Sequence, residues 1–228
     1  MDRHALTRQL ETAALAYGNV QPDLPPSRTY AIFAPNDVQC FLRREGEVLQ
    51  IAFRGSDSLQ DALTDLQFWK KCIPYGNAAS KIRVHTGFIN AYKDEAVRPR
   101  IQALVAPGVH RVRITGHSLG AALAVLCAVD LQYNFPDRDF EVALFGCPRV
   151  GNAAFRDSYN RRVFKTLRVQ NGNDAVTKIP FAFMGYRHVG VGLHVGSPRI
   201  PGRLNVRQHA LQGYYHGLLQ PALRTPTR

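Results

Sequence analysis

The chain has 228 residues, 45% of them hydrophobic, and a formal net charge of +12 at pH 7. This length and composition suffice for one large core, and no break in composition suggests a second domain, so we expect a single domain over residues 1–228. The longest apolar run, residues 119–129, is too short to cross a bilayer, which argues against a transmembrane segment.

The first predicted element is an amphipathic helix over residues 3–17. Leu6, Leu10 and Tyr17 recur at helical spacing, so the helix is expected to pack on a sheet. This N-terminal stretch lacks the continuous hydrophobic core of a secretory signal peptide. On that basis we expect a cytoplasmic location, or export by a route that needs no signal peptide.

Three β-rich runs follow, at residues 29–34, 38–44 and 48–53, and a Glu-Gly turn joins the last two. We expect consecutive strands with at least one antiparallel hairpin. The third run continues into Arg54-Gly55-Ser56, where the backbone N–H of Ser56 is a candidate donor to an oxyanion. Gly-Ser after a strand is also a common turn, and the pattern alone leaves both interpretations open.

Residues 58–69 have apolar side chains at i, i+3, i+4 and i+7, which predicts a short amphipathic helix. A helix directly after a candidate oxyanion loop is in the position of a lid, which covers a cleft in water and turns outward at a lipid surface. A helix packed permanently on the core fits the same periodicity. We place the lid-like segment at about residues 57–72.

The sequence Gly116-His117-Ser118-Leu119-Gly120 fits the G-x-S-x-G nucleophile elbow. A β-rich run precedes it and a small, apolar helical pattern follows, which is the strand-turn-helix context that the motif requires. The glycines allow strand and helix to approach closely, while the turn pushes the serine hydroxyl into a cleft. Ser118 is therefore the candidate nucleophile, and the backbone N–H of Leu119, at the helix N-terminus, is a candidate oxyanion donor.

Helices and strands alternate through the rest of the chain. A helix predicted from Val84 toward Val105 contains Pro99, which should kink or split it, and the nucleophile strand comes next. After the elbow helix, strands are expected at residues 141–145 and 163–170, with a helix between them. This alternation predicts an α/β fold with a largely parallel sheet and helices on both faces.

The acid partner of Ser118 is expected on a loop that follows a strand, because the catalytic residues of such folds run Ser, then Asp or Glu, then His. Only Asp174 directly follows a predicted strand, so it is the candidate acid. The other carboxylates after Ser118 lie within predicted helices, or before or at the start of a strand: Asp130, Asp137, Asp139, Glu141 and Asp157.

Four histidines come after Asp174. His188 and His194 fall in a Gly-rich, β-like stretch where a structural role is the default, and His216 is inside the last predicted helix. His209 stands at a loop-to-helix junction, from which its ring has a route to the nucleophile, so it is favoured over His216. Its role would be that of general base and then general acid, with the carboxylate holding its tautomer.

Together these motifs resemble the class 3 lipases, the fungal-lipase-like branch of the α/β-hydrolases. The similar blocks lie in family order between about residues 48 and 219: FRGSDS, HTGF, GHSLG, FGCPRVGN, NGNDAVTKIP, YRHVG and HALQGYYHGL. The resemblance implies the α/β-hydrolase fold, with a central, mostly parallel sheet, an antiparallel N-terminal hairpin and helices on both faces.

The same resemblance implies roles for individual residues. Ser118, Asp174 and His209 match the catalytic triad, and Ser56 and Leu119 match the oxyanion hole. Residues 58–69 match a lid-like segment. His85 and His188 match supporting rather than catalytic positions.

The implied activity is hydrolysis of lipid esters through a Ser acyl-enzyme, most simply that of a triacylglycerol lipase. Phospholipase A1 and a short-chain carboxylesterase are the near alternatives, because acyl preference depends on the shape of the groove. An inactive, hydrolase-like binding module is the alternative from another class. Neither a metal nor a cofactor is needed for this chemistry.

The basic excess is concentrated late in the chain, where seven Lys or Arg and no acidic residue follow Asp174. Attraction to an anionic lipid surface is one explanation, and a basic, solvated surface is the plainer and preferred one. No basic run is interleaved with aromatic residues as in nucleic-acid grooves, so no nucleic-acid partner is expected. The expected partner is a lipid ester substrate, with peripheral contact at a lipid interface.

Overall fold

The computed structural model describes residues 1–18, 28–55, 71–105 and 107–220. The candidate oxyanion residue Ser56, the predicted helix over residues 58–69 and most of the lid-like segment lie outside the described residues. The last two residues of that segment belong to a short strand, Lys71–Cys72, which pairs antiparallel with Val84–His85. The lid-like segment at about residues 57–72 stays a prediction.

The helices alternate with strands along the chain. The N-terminal helix begins after Asp2, whose Oδ1 accepts a hydrogen bond from the Ala5 N–H over 2.7 Å. The expected break near Pro99 is confirmed, because two helices separated by residues 94–97 replace one. The described α-helices are α1 (Arg3–Leu15), α2 (Thr86–Lys93), α3 (Arg98–Leu104), α4 (Leu119–Asn134), α5 (Ala153–Arg162) and α6 (Leu211–Leu219).

Strands form one large and one small sheet. The strands are β1 (Arg28–Phe33), β2 (Gln39–Glu45), β3 (Val48–Phe53), β4 (Lys71–Cys72), β5 (Val84–His85), β6 (Arg111–His117), β7 (Asp139–Phe145), β8 (Gly151–Asn152), β9 (Thr166–Asn171), β10 (Tyr186–Arg187) and β11 (Val191–Val195). The large sheet has the order β1-β2-β3-β6-β7-β9-β11, and the small one has the order β10-β8-β5-β4.

The large sheet confirms the predicted mixture of strand directions. Strands β1, β2 and β3 pair antiparallel, with Cys40 opposite Phe53. From β3 onward the pairs β3–β6, β6–β7, β7–β9 and β9–β11 are all parallel. Strands β6 and β9 therefore end at the same edge of the sheet, and the candidate nucleophile and acid follow those two ends.

Strand β7 shows how the sheet is covered on both faces. Val142 and Leu144 belong to the larger core cluster, which includes residues of α2, α4 and α5, whereas Ala143 and Phe145 point into a second cluster with α1 and α6. This alternation follows from the two-residue repeat of a strand, and a strand apolar on both sides needs helices on both faces. None of the described helices combines the length and the apolar character needed to span a bilayer.

Candidate active site

The nucleophile turn between β6 and α4 has a strained backbone. Ser118 has φ of 60° and ψ of −131°, a combination that residues with a side chain rarely adopt. A Cβ on Gly116 would lie 2.4 Å from the Gly120 carbonyl oxygen, and one on Gly120 would lie 2.4 Å from the Phe53 carbonyl oxygen. Both glycines are therefore required for the close approach of β3, β6 and α4, as the motif predicted.

The Ser118 side chain is buried at this turn. Its backbone N–H donates to the Phe145 carbonyl oxygen over 3.0 Å, which ties the turn to the end of β7. Its Oγ is buried and has no hydrogen-bond partner among the described residues. The Leu119 N–H lies in the first turn of α4, where amides have no acceptor within the helix, so it is available to an oxyanion.

Asp174 follows the end of β9 and is fully buried. Its Oδ1 accepts a hydrogen bond from the Val176 N–H over 2.9 Å. Its Oδ2 accepts from His209 Nδ1 over 2.8 Å and also from the Tyr214 hydroxyl. Burial and the adjacent carboxylate raise the pKa of Tyr214 well above its ordinary value, so Tyr214 remains a donor.

His209 completes a 3-10 turn, Arg207–His209, just before α6. Because a carboxylate only accepts hydrogen bonds, the contact with Asp174 places the proton of the neutral ring on Nδ1. Nε2 is then a proton acceptor, and it is buried without a hydrogen-bond partner in the part of the chain that the structure describes. A buried acceptor without a partner is uncommon in a folded protein, and here it belongs to the ring that Asp174 orients.

The other three candidate histidines are not part of this cluster. The Nε2 of His188 donates to the Thr177 carbonyl oxygen over 2.8 Å, and the Thr177 hydroxyl donates to the Asp174 carbonyl oxygen, so His188 supports the acid loop. His194 is bonded to the Ser197 carbonyl oxygen. His216, the competing candidate for the base, is exposed on α6.

A second imidazole lies directly beneath the candidate base. The ring of His117 stacks on that of His209, with 4.4 Å between centroids and 27° between planes. His117 Nε2 donates to the His209 carbonyl oxygen over 2.8 Å, so its Nδ1 accepts from the Tyr17 hydroxyl, also over 2.8 Å. Burial, followed by the proximity of His209, lowers the pKa of His117 to about 3. His117 is therefore neutral at pH 7 and has one defined tautomer.

Two glycines leave room for these rings. At Gly146, with φ of 58°, a Cβ would lie 2.6 Å from Cε1 of His209 and 3.2 Å from Oδ2 of Asp174. At Gly55 a Cβ would lie 2.2 Å from the Tyr17 hydroxyl and 3.1 Å from Cβ of Ser118. The strand end that precedes Ser56 is thus packed against the elbow, although Ser56 itself is outside the described residues.

Sequence reasoning missed the contributions of Tyr17 and His117. Tyr17 was expected on the apolar stripe of the first helix, but α1 ends at Leu15 and the Tyr17 hydroxyl bonds to His117 instead. His117 was only the variable residue of the motif. No local pattern signals a contact between side chains that are 100 positions apart.

Among the described residues, no group of three or more His, Cys, Asp or Glu is arranged to hold a metal ion.

Comparison with known proteins agrees with this geometry. A family model described as lipase (class 3) matches residues 50–184. A secreted mono- and diacylglycerol lipase from Fusarium solani is 32% identical over 142 residues, which are 60% of this chain and 41% of the relative. Phospholipase A1-IIdelta from Arabidopsis thaliana is 37% identical over 110 residues, 45% of this chain and 27% of the relative. The chain thus matches less than half the length of either relative.

The fold of this chain is similar to that of a solved lipase structure. It is described as a triacylglycerol lipase whose catalytic centre is a serine protease triad, and it superposes with a TM-score of 0.72 and 27% identity. The match covers 84% of this chain and 79% of that one. The similarity therefore extends over most of both molecules, well beyond the nucleophile turn.

The same comparison corrects the expected location. The sequence was taken to indicate a cytoplasmic location, or export without a signal peptide. The similar lipase from Fusarium solani is secreted, and so is a similar lipase from Malassezia restricta. The expectation was wrong, because these similar lipases are secreted enzymes.

Proposed function

Because the chain belongs to the class 3 lipase family and has its α/β-hydrolase fold, we propose that it hydrolyses carboxylic esters of lipids through an acyl-enzyme on Ser118. The observation that carries the proposal is one buried cluster. In it, Asp174 fixes the tautomer of His209, and the Nε2 of that ring and the strained Ser118 hydroxyl are both buried; these two atoms are not hydrogen-bonded to each other and have no other partner among the described residues. Acyl transfer requires that nucleophile and base come within hydrogen-bond reach of each other, a contact that is often longer in a protein without substrate and tightens when substrate binds.

In the proposed reaction, His209 Nε2 takes the proton of the Ser118 hydroxyl as Oγ attacks the ester carbonyl carbon. The oxyanion accepts a hydrogen bond from the Leu119 N–H and, as a prediction from sequence, a second one from Ser56. Collapse of the intermediate breaks the bond to the alcohol, which leaves with the proton from Nε2. Water then attacks the acyl carbon as Nε2 takes one of its protons. The bond to Ser118 Oγ breaks, the carboxylic acid leaves, and the proton on Nε2 returns to Oγ, while the Asp174 carboxylate stabilises the imidazolium in both halves.

For the substrate we put triacylglycerol first, since the superposed lipase structure acts on that class and the Fusarium relative acts on mono- and diacylglycerols. Phospholipase A1 activity is the second candidate, favoured by the similarity to the Arabidopsis phospholipase. In either case the substrate is presented by a lipid aggregate, so we propose peripheral contact with a lipid interface during turnover.

The test has two arms. A fluorophosphonate probe should label the wild-type protein at Ser118, and Ser118→Ala should abolish both labelling and hydrolysis with little change in melting temperature. Hydrolysis of emulsified triolein, phosphatidylcholine and soluble p-nitrophenyl esters then separates the substrate classes. A folded wild-type protein that neither labels nor hydrolyses any of the three would identify an inactive binding module instead.

A further inference from the structure

A cleft of about 620 Å³ opens beside the loop that carries Asp174. We call it the acid-loop cleft, and its cationic lining residues are Arg149, Lys178, Arg199 and Arg203. The triad uses none of these four side chains. The positive charge of the cleft is therefore not part of the triad.

Hydrogen bonds tie the wall of the cleft to the catalytic acid. The Asn205 N–H donates to the Asn173 carbonyl oxygen over 2.9 Å, and the Ile200 N–H donates to the Asn173 side-chain oxygen over 3.1 Å. The Ala175 N–H in turn donates to the Asn205 carbonyl oxygen. Residues on both sides of Asp174 thus hold the segment that lines the cleft, so whatever binds there lies next to the triad.

The four cations have no acidic partner within the described residues. Arg149 donates to the backbone carbonyl oxygens of Lys178 and Pro180 rather than to a carboxylate. The ion pairs of the described part of the chain all involve other residues. No acidic residue follows Asp174 in the sequence, and the Asp174 carboxylate is already bonded to His209 and Tyr214. Within the described ranges, the positive charge of this cluster is therefore concentrated and has no compensating carboxylate.

Burial first, and then neighbouring cations, lower the pKa of two of these groups. Burial, with Arg199 and Arg149 next, lowers the pKa of Lys178 to about 8. Burial, with Arg168 and Arg187 next, lowers the pKa of Arg149 to about 10. Packing cations together without a counter-charge is unfavourable, and an anion in the cleft would relieve that repulsion.

Large apolar side chains surround the cationic centre. Phe183 is 86% exposed and stacks on Phe181, with 5.3 Å between ring centroids. Ile200 and Leu204 are 48% and 55% exposed and also line the cleft. A small, hydrated anion would gain no binding energy from exposed aromatic and aliphatic groups around its site. Cations ringed by apolar groups instead match the boundary between lipid headgroups and acyl chains.

We propose that the acid-loop cleft docks the protein onto an anionic phospholipid surface. Arg149, Lys178, Arg199 and Arg203 contact lipid phosphates, while Phe183, Ile200 and Leu204 enter the acyl boundary. Because the cleft borders the loop that carries Asp174, docking there places that loop beside the lipid. The inference deepens the proposed function by naming the surface on which the enzyme works, but the docking step itself requires no catalysis.

Vesicle binding by the Ser118→Ala variant tests docking separately from hydrolysis. Two vesicle types are compared, pure phosphatidylcholine and phosphatidylcholine with about 30% phosphatidylglycerol. We expect binding to the anionic vesicles that weakens with salt, and weak binding to the neutral ones. Arg199→Gln with Arg203→Gln, made in the same background, should lower the affinity for anionic vesicles by about 25-fold, at about fivefold per cation.

A matched control removes two charges elsewhere. Arg100→Gln with Arg161→Gln has the same net charge, but both residues are exposed outside the cleft. The control pair should retain most of the binding, and Phe183→Ser should weaken binding to both vesicle types. Equal binding to neutral and anionic vesicles, or equal losses in the two double variants, would overturn the proposal. So would tighter binding to inorganic phosphate or heparin than to vesicles, since the cleft would then serve a free anion or another polyanion.

Discussion

The side chain of His117 holds the backbone of His209 through a hydrogen bond of 2.8 Å from Nε2 to the carbonyl oxygen. The residue immediately before the candidate nucleophile therefore positions the turn that carries the candidate base. Tyr17 holds His117 in turn from the other side, through Nδ1. Three segments that are far apart in sequence are thus joined in one buried chain of hydrogen bonds.

The first prediction concerns this positioning contact. His117→Leu keeps a comparable volume but removes the donor, which leaves the buried His209 carbonyl oxygen unpaired at a cost of about 1–3 kcal/mol. We expect a lower melting temperature and a fall in kcat of about 10- to 100-fold as the base shifts. His117→Gln retains a donor and should recover part of the loss. Calorimetry and p-nitrophenyl ester kinetics test both, and unchanged kcat in the leucine variant would contradict the positioning role.

The second prediction is a pH dependence of stability. The pKa of His117 is about 3 in the folded protein, against an ordinary value of 6.5, so the unfolded chain binds the proton more readily between these values. Stability should therefore fall as the pH falls from about 6.5 toward 3, by up to about 1.4 kcal/mol per pH unit from this residue.

His117→Gln isolates that contribution because glutamine does not titrate. We expect the difference in unfolding free energy between wild type and variant to be constant above about pH 7 and to shrink on acidification. Urea titrations at several pH values measure it. A difference that is independent of pH would mean that His117 is accessible to protons in the folded state.

The third prediction uses two glycines that have nearly the same φ but different surroundings. Gly146 has φ of 58°, and a Cβ there would lie 2.6 Å from the His209 ring. Gly46 has φ of 56°, and a Cβ there would meet nothing within 4 Å. Gly46→Ala therefore reports strain alone, about 1–2 kcal/mol, whereas Gly146→Ala adds displacement of the imidazole.

We expect both alanine variants to be destabilised, and only Gly146→Ala to lose activity, by about 100-fold or more in kcat. Kinetics at a temperature well below both melting transitions separate the two effects. Equal kcat in the two variants would show that the ring has room to move without loss of function.

Much of the architecture was predictable because it depends on local patterns. The alternation of helices and strands predicted the parallel sheet, and the glycines of the elbow predicted the strained turn at Ser118. The ninth strand shows where local patterns fail. It was expected from Val163, a β-branched residue, but it begins at Thr166, because the Val163 N–H donates to the Tyr159 carbonyl oxygen and closes α5.

Some residues of the candidate site could be predicted from the sequence and others could not. Asp174 and His209 were identified by their position relative to a strand end and a helix start, and the structure brings them within 2.8 Å. The Tyr17–His117 pair had no such signal, because its members are distant in sequence and meet only in the folded chain. The basic excess after Asp174 was visible in the sequence, but the cleft that its members form with Arg149 was not. Long-range contacts of polar side chains carry no periodicity that a sequence displays.

The last prediction contrasts the two deeply buried aspartates. Asp174 bonds to the candidate base, whereas Asp130 lies in α4, where it accepts hydrogen bonds from Tyr92, Gln102 and the Arg98 guanidinium at distances between 2.8 and 3.1 Å. Every one of these donors belongs to α2 or α3. The Asp130 carboxylate therefore joins three helices, and none of these donors belongs to the cluster of Ser118, Asp174 and His209.

Asp130→Asn should consequently lower the free energy of unfolding by about 2–4 kcal/mol, because the partly buried Arg98 loses its counter-charge, while kcat of the folded protein stays close to that of wild type. Asp174→Asn should do the reverse, with kcat lower by about 10⁴-fold and a smaller change in stability, since the wrong tautomer of His209 is then favoured. Chemical unfolding measures the free energy of unfolding of each variant, and steady-state kinetics on the same preparations measures its kcat. If Asp130→Asn removed activity and Asp174→Asn retained it, the acid would have been assigned to the wrong loop, and the long elbow helix rather than the end of β9 would carry it.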